Sequence, residues 1–154
     1  MSIRVYADTS VFGGVFDEEF AEASKEFFQE VRGGRFALVT SAVVQAELEP
    51  APEEVRMFFR GILDVAEVTE VTAEVLVLRD AYLSAGIVGA KYTDDALHVA
   101  LASVSGCRVI VSWNFRHIVH FEKIPKYNDN AVNVLHGHAA LGIYSPTEVI
   151  RYED

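Results

Sequence analysis

The chain opens with a short apolar run, Ile3 to Ala7, and then turns small and polar at Asp8, Ser10, Gly13 and Gly14. A run of that length bounded by turn formers predicts a buried strand followed by an exit loop. From Glu18 to Arg32 the apolar positions Phe20, Ala23, Phe27, Phe28 and Val31 keep to one helical face, which predicts an amphipathic helix stopped by Gly33 and Gly34. Phe36 to Thr40 reads as a second strand. Ser41 is placed to cap a short helix through Leu48, ended by Pro50, and a further helix is expected from Glu53 to Ile62. Val65 to Val71 alternates loosely as a third strand, Thr72 caps a helix that closes at Gly86, and Gly86 to Tyr92 is a loop. Thr93 then caps a strongly apolar helix, Asp94 to Ser105, ended by Gly106, and Val109 to Val111 forms the next strand. Beyond it the pattern weakens to a helix from Ala131 to Ala140, a strand around Ile143 and a final turn starting at Pro146.

Strands separated by helices imply a parallel sheet with helices on both faces, a three-layer α/β fold. Ligand crevices in such folds open at the carboxyl ends of the strands, above all where strand order reverses. Polar residues directly after a strand therefore carry functional weight, and Asp8 and Asn114 both stand there.

The acids give that expectation chemical content. Asp8 ends an apolar strand in VYADTSVF, with the hydroxyls of Thr9 and Ser10 next to it; by itself this is also what a turn looks like. Glu47 falls on the same side of its helix as Val43 and Val44, the apolar side, where a carboxylate must be paired, protonated or bound to a cation. Asp94 and Asp95 open the helix TDDALHVALA, where the helix dipole favours one of them but the apolar character of the rest leaves the second unexplained. His98 shares their side of the helix and reads as structural. Asn114, with Ser112 two residues before it, adds oxygen groups at a strand end. Asp8, Glu47, Asp95 and Asn114 come from four elements, offer only oxygen, and can converge on one crevice; such a set selects Mg²⁺ or Mn²⁺ over zinc.

Composition sets the surroundings. A chain of 154 residues with 51% hydrophobic and 23% charged residues is expected to fold as a single domain, 1–154. Cys107 is the only cysteine, which excludes an internal disulfide and fits a reducing compartment. No apolar run approaches the roughly 20 residues that span a bilayer, and no leader precedes the first strand, so a cytoplasmic protein with no membrane contact is expected. The net charge of −10 argues against general nucleic-acid binding. Between Arg108 and Tyr127, however, Arg108, Arg116, Lys123 and Lys126 face Glu122 alone, four minus one, a local +3. Clustered carboxylates that hold a cation are also neutralised in the working protein.

Taken in order, DTSVF after the first strand, SAVVQAEL, TDDALHVALA, VIVSWNFRHI and IYSPTEV resemble the PIN-domain ribonucleases, and within them the VapC-like toxins of toxin-antitoxin pairs. The resemblance covers nearly the whole chain and implies a PIN-like α/β domain. It assigns the first acid to Asp8, the second to Glu47 and the third to Asp95, with Ser10 as the usual small hydroxyl residue. The fourth position, commonly aspartate, falls on Asn114, which departs from the pattern and brings no charge for a second metal. It also implies an RNA substrate, single-stranded or structured, and a small antitoxin protein as partner, and a homodimer is expected.

Phosphodiester cleavage needs a nucleophilic water and stabilised charge on phosphorus and on the leaving oxygen, all of which carboxylate-bound Mg²⁺ can serve. Asp8 and Asp95 are expected to hold the ion, Glu47 to bind it or orient the water, and Asn114 to complete the shell through water, with Ser10 and Asp94 in support. Arg116, Trp113 and Lys126 are candidates for contact with RNA, the aromatic by stacking. Three rivals remain. Zinc could be held by His117, His120, His136 and His138, although no HExxH pattern is present. An aspartyl-phosphate phosphatase would begin at Asp8 but needs aspartate where Ser10 stands. A degenerate PIN-like module would bind RNA or protein without cutting.

Overall fold

The computed structural model describes residues 2–128 and 132–152. Five strands form one parallel sheet: β1 (Ile3–Ala7), β2 (Phe36–Ser41), β3 (Ala66–Thr69), β4 (Val109–Val111) and β5 (Gly142–Tyr144), in the order β3-β2-β1-β4-β5. The chain steps outward from β1 to β2 and β3, then returns to place β4 on the other side of β1. Strand order therefore reverses between β1 and β4, and the register that pairs Ala7 with Val111 brings the ends of those two strands level.

Helices cover the sheet: α1 (Thr9–Gly14), α2 (Ala21–Arg32), α3 (Ala42–Leu48), α4 (Glu53–Ile62), α5 (Ala73–Ser84), α6 (Thr93–Val104), α7 (Ile124–Asn128), α8 (Val132–Leu135) and α9 (Pro146–Val149). The central strands are continuous apolar runs because both faces are covered: Val5, Tyr6, Ala7, Val39, Ile110 and Val111 are fully buried. Helix α6 is buried from Ala96 to Ser103, which explains its nearly uniform apolar sequence. The expected three-layer α/β architecture is thus present. Among the described residues no helix is long and apolar enough to cross a membrane.

Several local expectations change. The stretch after β1 is the one-and-a-half-turn helix α1 and not a loop, because Asp8 takes extended backbone angles and its carboxylate accepts from the Ser10 backbone N–H. Helix α2 begins at Ala21, later than Glu18, since the residues before it form turns closed by Phe20 and Ala21 N–H donating to the Asp17 carbonyl. Ser41 and Thr72 cap α3 and α5 as expected. Thr93 does not cap α6; it lies inside the first turn and its hydroxyl donates to the Ala90 carbonyl at 2.6 Å. The helix expected over Ala131 to Ala140 ends at Leu135, ahead of Gly137 at φ +80°, and its first residue lies outside the described residues. Helix α7 was not expected at all.

Candidate active site

Asp8, at the end of β1, is the most constrained side chain of the crevice and only 4% exposed. Its Oδ1 accepts from the Ser10 backbone N–H at 3.1 Å and the Ser10 hydroxyl at 2.6 Å; its Oδ2 accepts from the Ser112 hydroxyl at 2.6 Å. Both serines are themselves anchored just past β4. Trp113 N–H donates to Ser10 Oγ and Asn114 N–H to Ser112 Oγ, each at 2.9 Å. The reversal of strand order is therefore stitched together through one carboxylate. Burial pushes the Asp8 carboxyl above the ordinary aspartate range and the charge of Glu47 adds to this, against the opposing pull of His98 and the two serines.

Glu47 reaches the crevice from the last turn of α3, with its side chain 34% exposed. Its Oε1 accepts from the Thr9 hydroxyl at 2.8 Å and from His98 Nε2 at 2.5 Å. Burial opposes its ionisation, but the hydrogen bond and charge of His98, helped by Thr9, hold it below the usual glutamate value. Asp95, half-buried in the first turn of α6, is raised by burial and by Glu47, and held down in part by the Asn114 side chain, His117 and His98. Asn114 also uses its Oδ1 to accept from the backbone N–H groups of Arg116 and His117, at 3.2 and 2.9 Å, and so caps the turn that follows.

The sequence reads His98 as structural, yet it joins Glu47 to the buried Tyr6 and Ser41. It is 3% exposed, donates toward Glu47 through Nε2, and meets the Tyr6 hydroxyl at Nδ1 at 2.8 Å; Tyr6 in turn meets Ser41 Oγ at 2.8 Å. Burial alone would lower the imidazole's pKa, but Glu47, Asp8 and Asp95 around it raise it. Its position on the buried face of α6, one turn beyond Asp95, was the only signal in the sequence. Thr9 showed only as a hydroxyl beside Asp8, and Tyr6 carried no signal.

The remaining candidates divide. Asp94 is exposed. Arg116 is exposed with its guanidinium 5.4 Å from the Tyr92 ring centre. Trp113 is half-buried, stacked on Phe20 at 4.2 Å with Nε1 donating to Ser24, whereas its neighbour Phe115 is 49% exposed. Lys126 lies with Phe121, Ile124 and Pro125 around a separate surface hollow. The histidines of the zinc reading do not assemble. His117 is buried against Tyr92 at 3.8 Å, His120 accepts from the Glu122 N–H, and His138 faces Glu74.

The donor set suits a hard cation. Asp8 and Asp95 offer oxygen only, and both are raised by burial and by a neighbouring carboxylate, the condition of acids that share a crevice without a counter-ion. As placed, no group of three or more Asp, Glu, His or Cys among the described residues is close enough to hold an ion, and Glu47 is engaged by Thr9 and His98 instead.

The family model for the PIN domain matches residues 5–120, a span that holds Asp8, Glu47, Asp95, His98 and Asn114. No curated protein matches the chain. Among solved structures, it is similar to VapBC2 from Rickettsia felis bound to a DNA fragment from its promoter, with 13% identity, TM-score 0.56, and 74% of this chain and 90% of that one covered. It is similar to a toxin-antitoxin complex from Klebsiella pneumoniae, with 12% identity, TM-score 0.58, and 77% and 93% covered. It is also similar to FitAcB from Neisseria gonorrhoeae, with 12% identity, TM-score 0.58, and 94% and 99% covered. Identities this low describe a shared fold.

Proposed function

Because the chain belongs to the PIN domain family, we propose that it is a Mg²⁺- or Mn²⁺-dependent endoribonuclease and the toxin of a toxin-antitoxin pair. The observation that carries this reading is the electrostatic coupling of Asp8 and Asp95 to Glu47 beside the point where strand order reverses, both aspartates being raised by burial and by the Glu47 charge. When bound, the cation supplies a nucleophilic water at neutral pH and neutralises charge on the phosphate. Asp8 and Asp95 are the residues to hold it. Ser10 and Ser112 fix the Asp8 carboxylate so that its geometry is set before the ion arrives. Glu47 either joins the ion or takes the proton of the attacking water, and Asn114 keeps Asp95 in place from the side. Arg116 is exposed next to this turn and can neutralise a phosphate, and Phe115 offers a face for an unpaired base of single-stranded RNA.

The structures similar to this chain include toxin-antitoxin complexes, which supports a small protein partner here. A basic side chain from such a partner, placed among Asp8, Glu47 and Asp95, would replace the cation. Partner binding and Mg²⁺ binding are then expected to compete. The reading also keeps the expected homodimer and a cytoplasmic location.

A second reading, a PIN-like module that binds without cutting, draws on Asn114 in the fourth position and on carboxylates that do not yet close around an ion. Incubation of a mixed RNA pool with the protein, with and without Mg²⁺, separates the two. Cleavage that a chelator stops is expected; RNA retained but uncut in Mg²⁺ would establish the binding module.

A further inference from the structure

We propose that His98 is a positioning residue for the nuclease reaction, holding Glu47 by one oxygen so that Glu47 acts on the attacking water and is not a cation ligand; this rests on the nuclease reading above. The hydrogen bonds around His98 form one continuous line from Ser41 through Tyr6 to Glu47. The direction is set at the Glu47 end: the carboxylate only accepts, so a ring with one proton donates it from Nε2 and accepts at Nδ1 from Tyr6, which accepts from Ser41, whose Oγ also takes the Val44 N–H at 3.2 Å. With Nδ1 accepting, the ring carries its proton on Nε2 and donates it to Glu47 Oε1. Every polar atom of this buried line is satisfied when the ring carries a proton on Nε2. The line also ties α6 to the end of β2 and the start of α3, whose last turn bears Glu47.

Glu47 Oε1 receives two donors, Thr9 and His98, while Oε2 has no protein partner among the described residues. Two donors on one oxygen fix the carboxylate plane and leave Oε2 alone to face the crevice. The free oxygen is then the one group of Glu47 able to accept a proton from water. Asp8 Oδ1 likewise takes two donors, the Ser10 N–H and hydroxyl, whereas its Oδ2 takes only the Ser112 hydroxyl and keeps a lone pair for a cation, and Asp95 is half-exposed to solvent.

The test is a cycle of variants. His98→Leu keeps the apolar volume of the buried helix face but removes the donor, His98→Gln keeps an N–H in nearly the Nε2 position, and Glu47→Gln removes the carboxylate. His98→Leu is expected to lower kcat about 10²-fold with KM changed less than about threefold, and His98→Gln to recover most of that loss. In the Glu47→Gln background, His98→Leu should change kcat less than about twofold, since a residue acting through Glu47 has nothing left to act on. Mn²⁺ titration by calorimetry gives a readout independent of activity: His98→Leu should leave affinity within about threefold, while Asp8→Asn weakens it more than about tenfold. Nitrogen-15 NMR of the metal-free protein should find His98 protonated at Nε2. Additive losses in the cycle, or Mn²⁺ affinity that falls in His98→Leu as far as in Asp8→Asn, would overturn the proposal with cleavage intact. A parent protein that does not cut RNA at all would overturn the nuclease reading, and the kinetic role of His98 with it.

Discussion

Asp8 carries more of the site than any other side chain, and its burial makes its charge costly until a cation arrives. Asp8→Asn and Asp95→Asn should each reduce cleavage at least about 10²-fold, while the metal-free melting temperature stays level or rises by up to about 5 °C as a repelled charge is removed. Parental cleavage by either variant would show that the residue has no part in the reaction. Asn114 is a sharper case. Its oxygen caps the following turn and its side chain steadies Asp95, so aspartate could keep the first role but not the second. Asn114→Asp is expected to lower metal-free stability by about 1 kcal/mol, and calorimetry and melting curves should show tighter Mg²⁺ binding and a loss that Mg²⁺ reverses. Unchanged melting and affinity would mean that Asn114 does not face the acids. At this scale the acids were legible in the sequence, since each breaks an apolar pattern. His98 was not, because nothing in a lone histidine on a helix face points to a glutamate 51 positions away.

Among the elements, the long ones were legible and the short ones were not. The six residues of α1 complete too few turns for a period to appear, and its start depends on a carboxylate, Asp8, that the sequence also suggests for chemistry. The same helix is where packing meets the site. A Cβ at Gly14 would lie 2.6 Å from Ser24 Oγ and 2.7 Å from Trp113 Nε1, on both ends of the hydrogen bond that joins α2 to the segment after β4. Gly14→Ala is therefore expected to cost about 1–3 kcal/mol in chemical denaturation. It should also slow cleavage, because Trp113 anchors Ser10 and Ser10 anchors Asp8. A variant as stable as the parent would show that α1 can shift without cost. Ser41 does double duty at the start of α3, capping the helix and ending the line through Tyr6 to His98, which is why a cap read from sequence alone understates it.

For the whole molecule, the placement of charge makes metal-free stability depend on pH in a defined direction. Asp8, Asp95 and His98 all hold protons more tightly in the folded state, so their contribution is present at low pH and lost as pH rises. The acids lose it above the ordinary carboxylate value, and His98 loses it above 6.5. Glu47 runs the other way and costs stability only in acid, below its ordinary value of 4.5. Melting curves without metal should therefore fall between about pH 6 and pH 8, Mg²⁺ should flatten that fall, and a metal-free protein that grows more stable over the range would contradict the charge arrangement. The fold itself, strands alternating with helices and a crevice at the reversal of strand order, was legible from period alone, whereas the line of contacts across three elements existed only once the chain had closed on itself. The most direct test of the central claim is the rate of cleavage of a mixed single-stranded RNA pool, followed against Mg²⁺ concentration for the parent and for Asp8→Asn side by side. The account predicts a rate that rises and saturates with Mg²⁺ in the parent and stays at background in Asp8→Asn. Cleavage that does not depend on Mg²⁺, or that proceeds equally in both proteins, would contradict it.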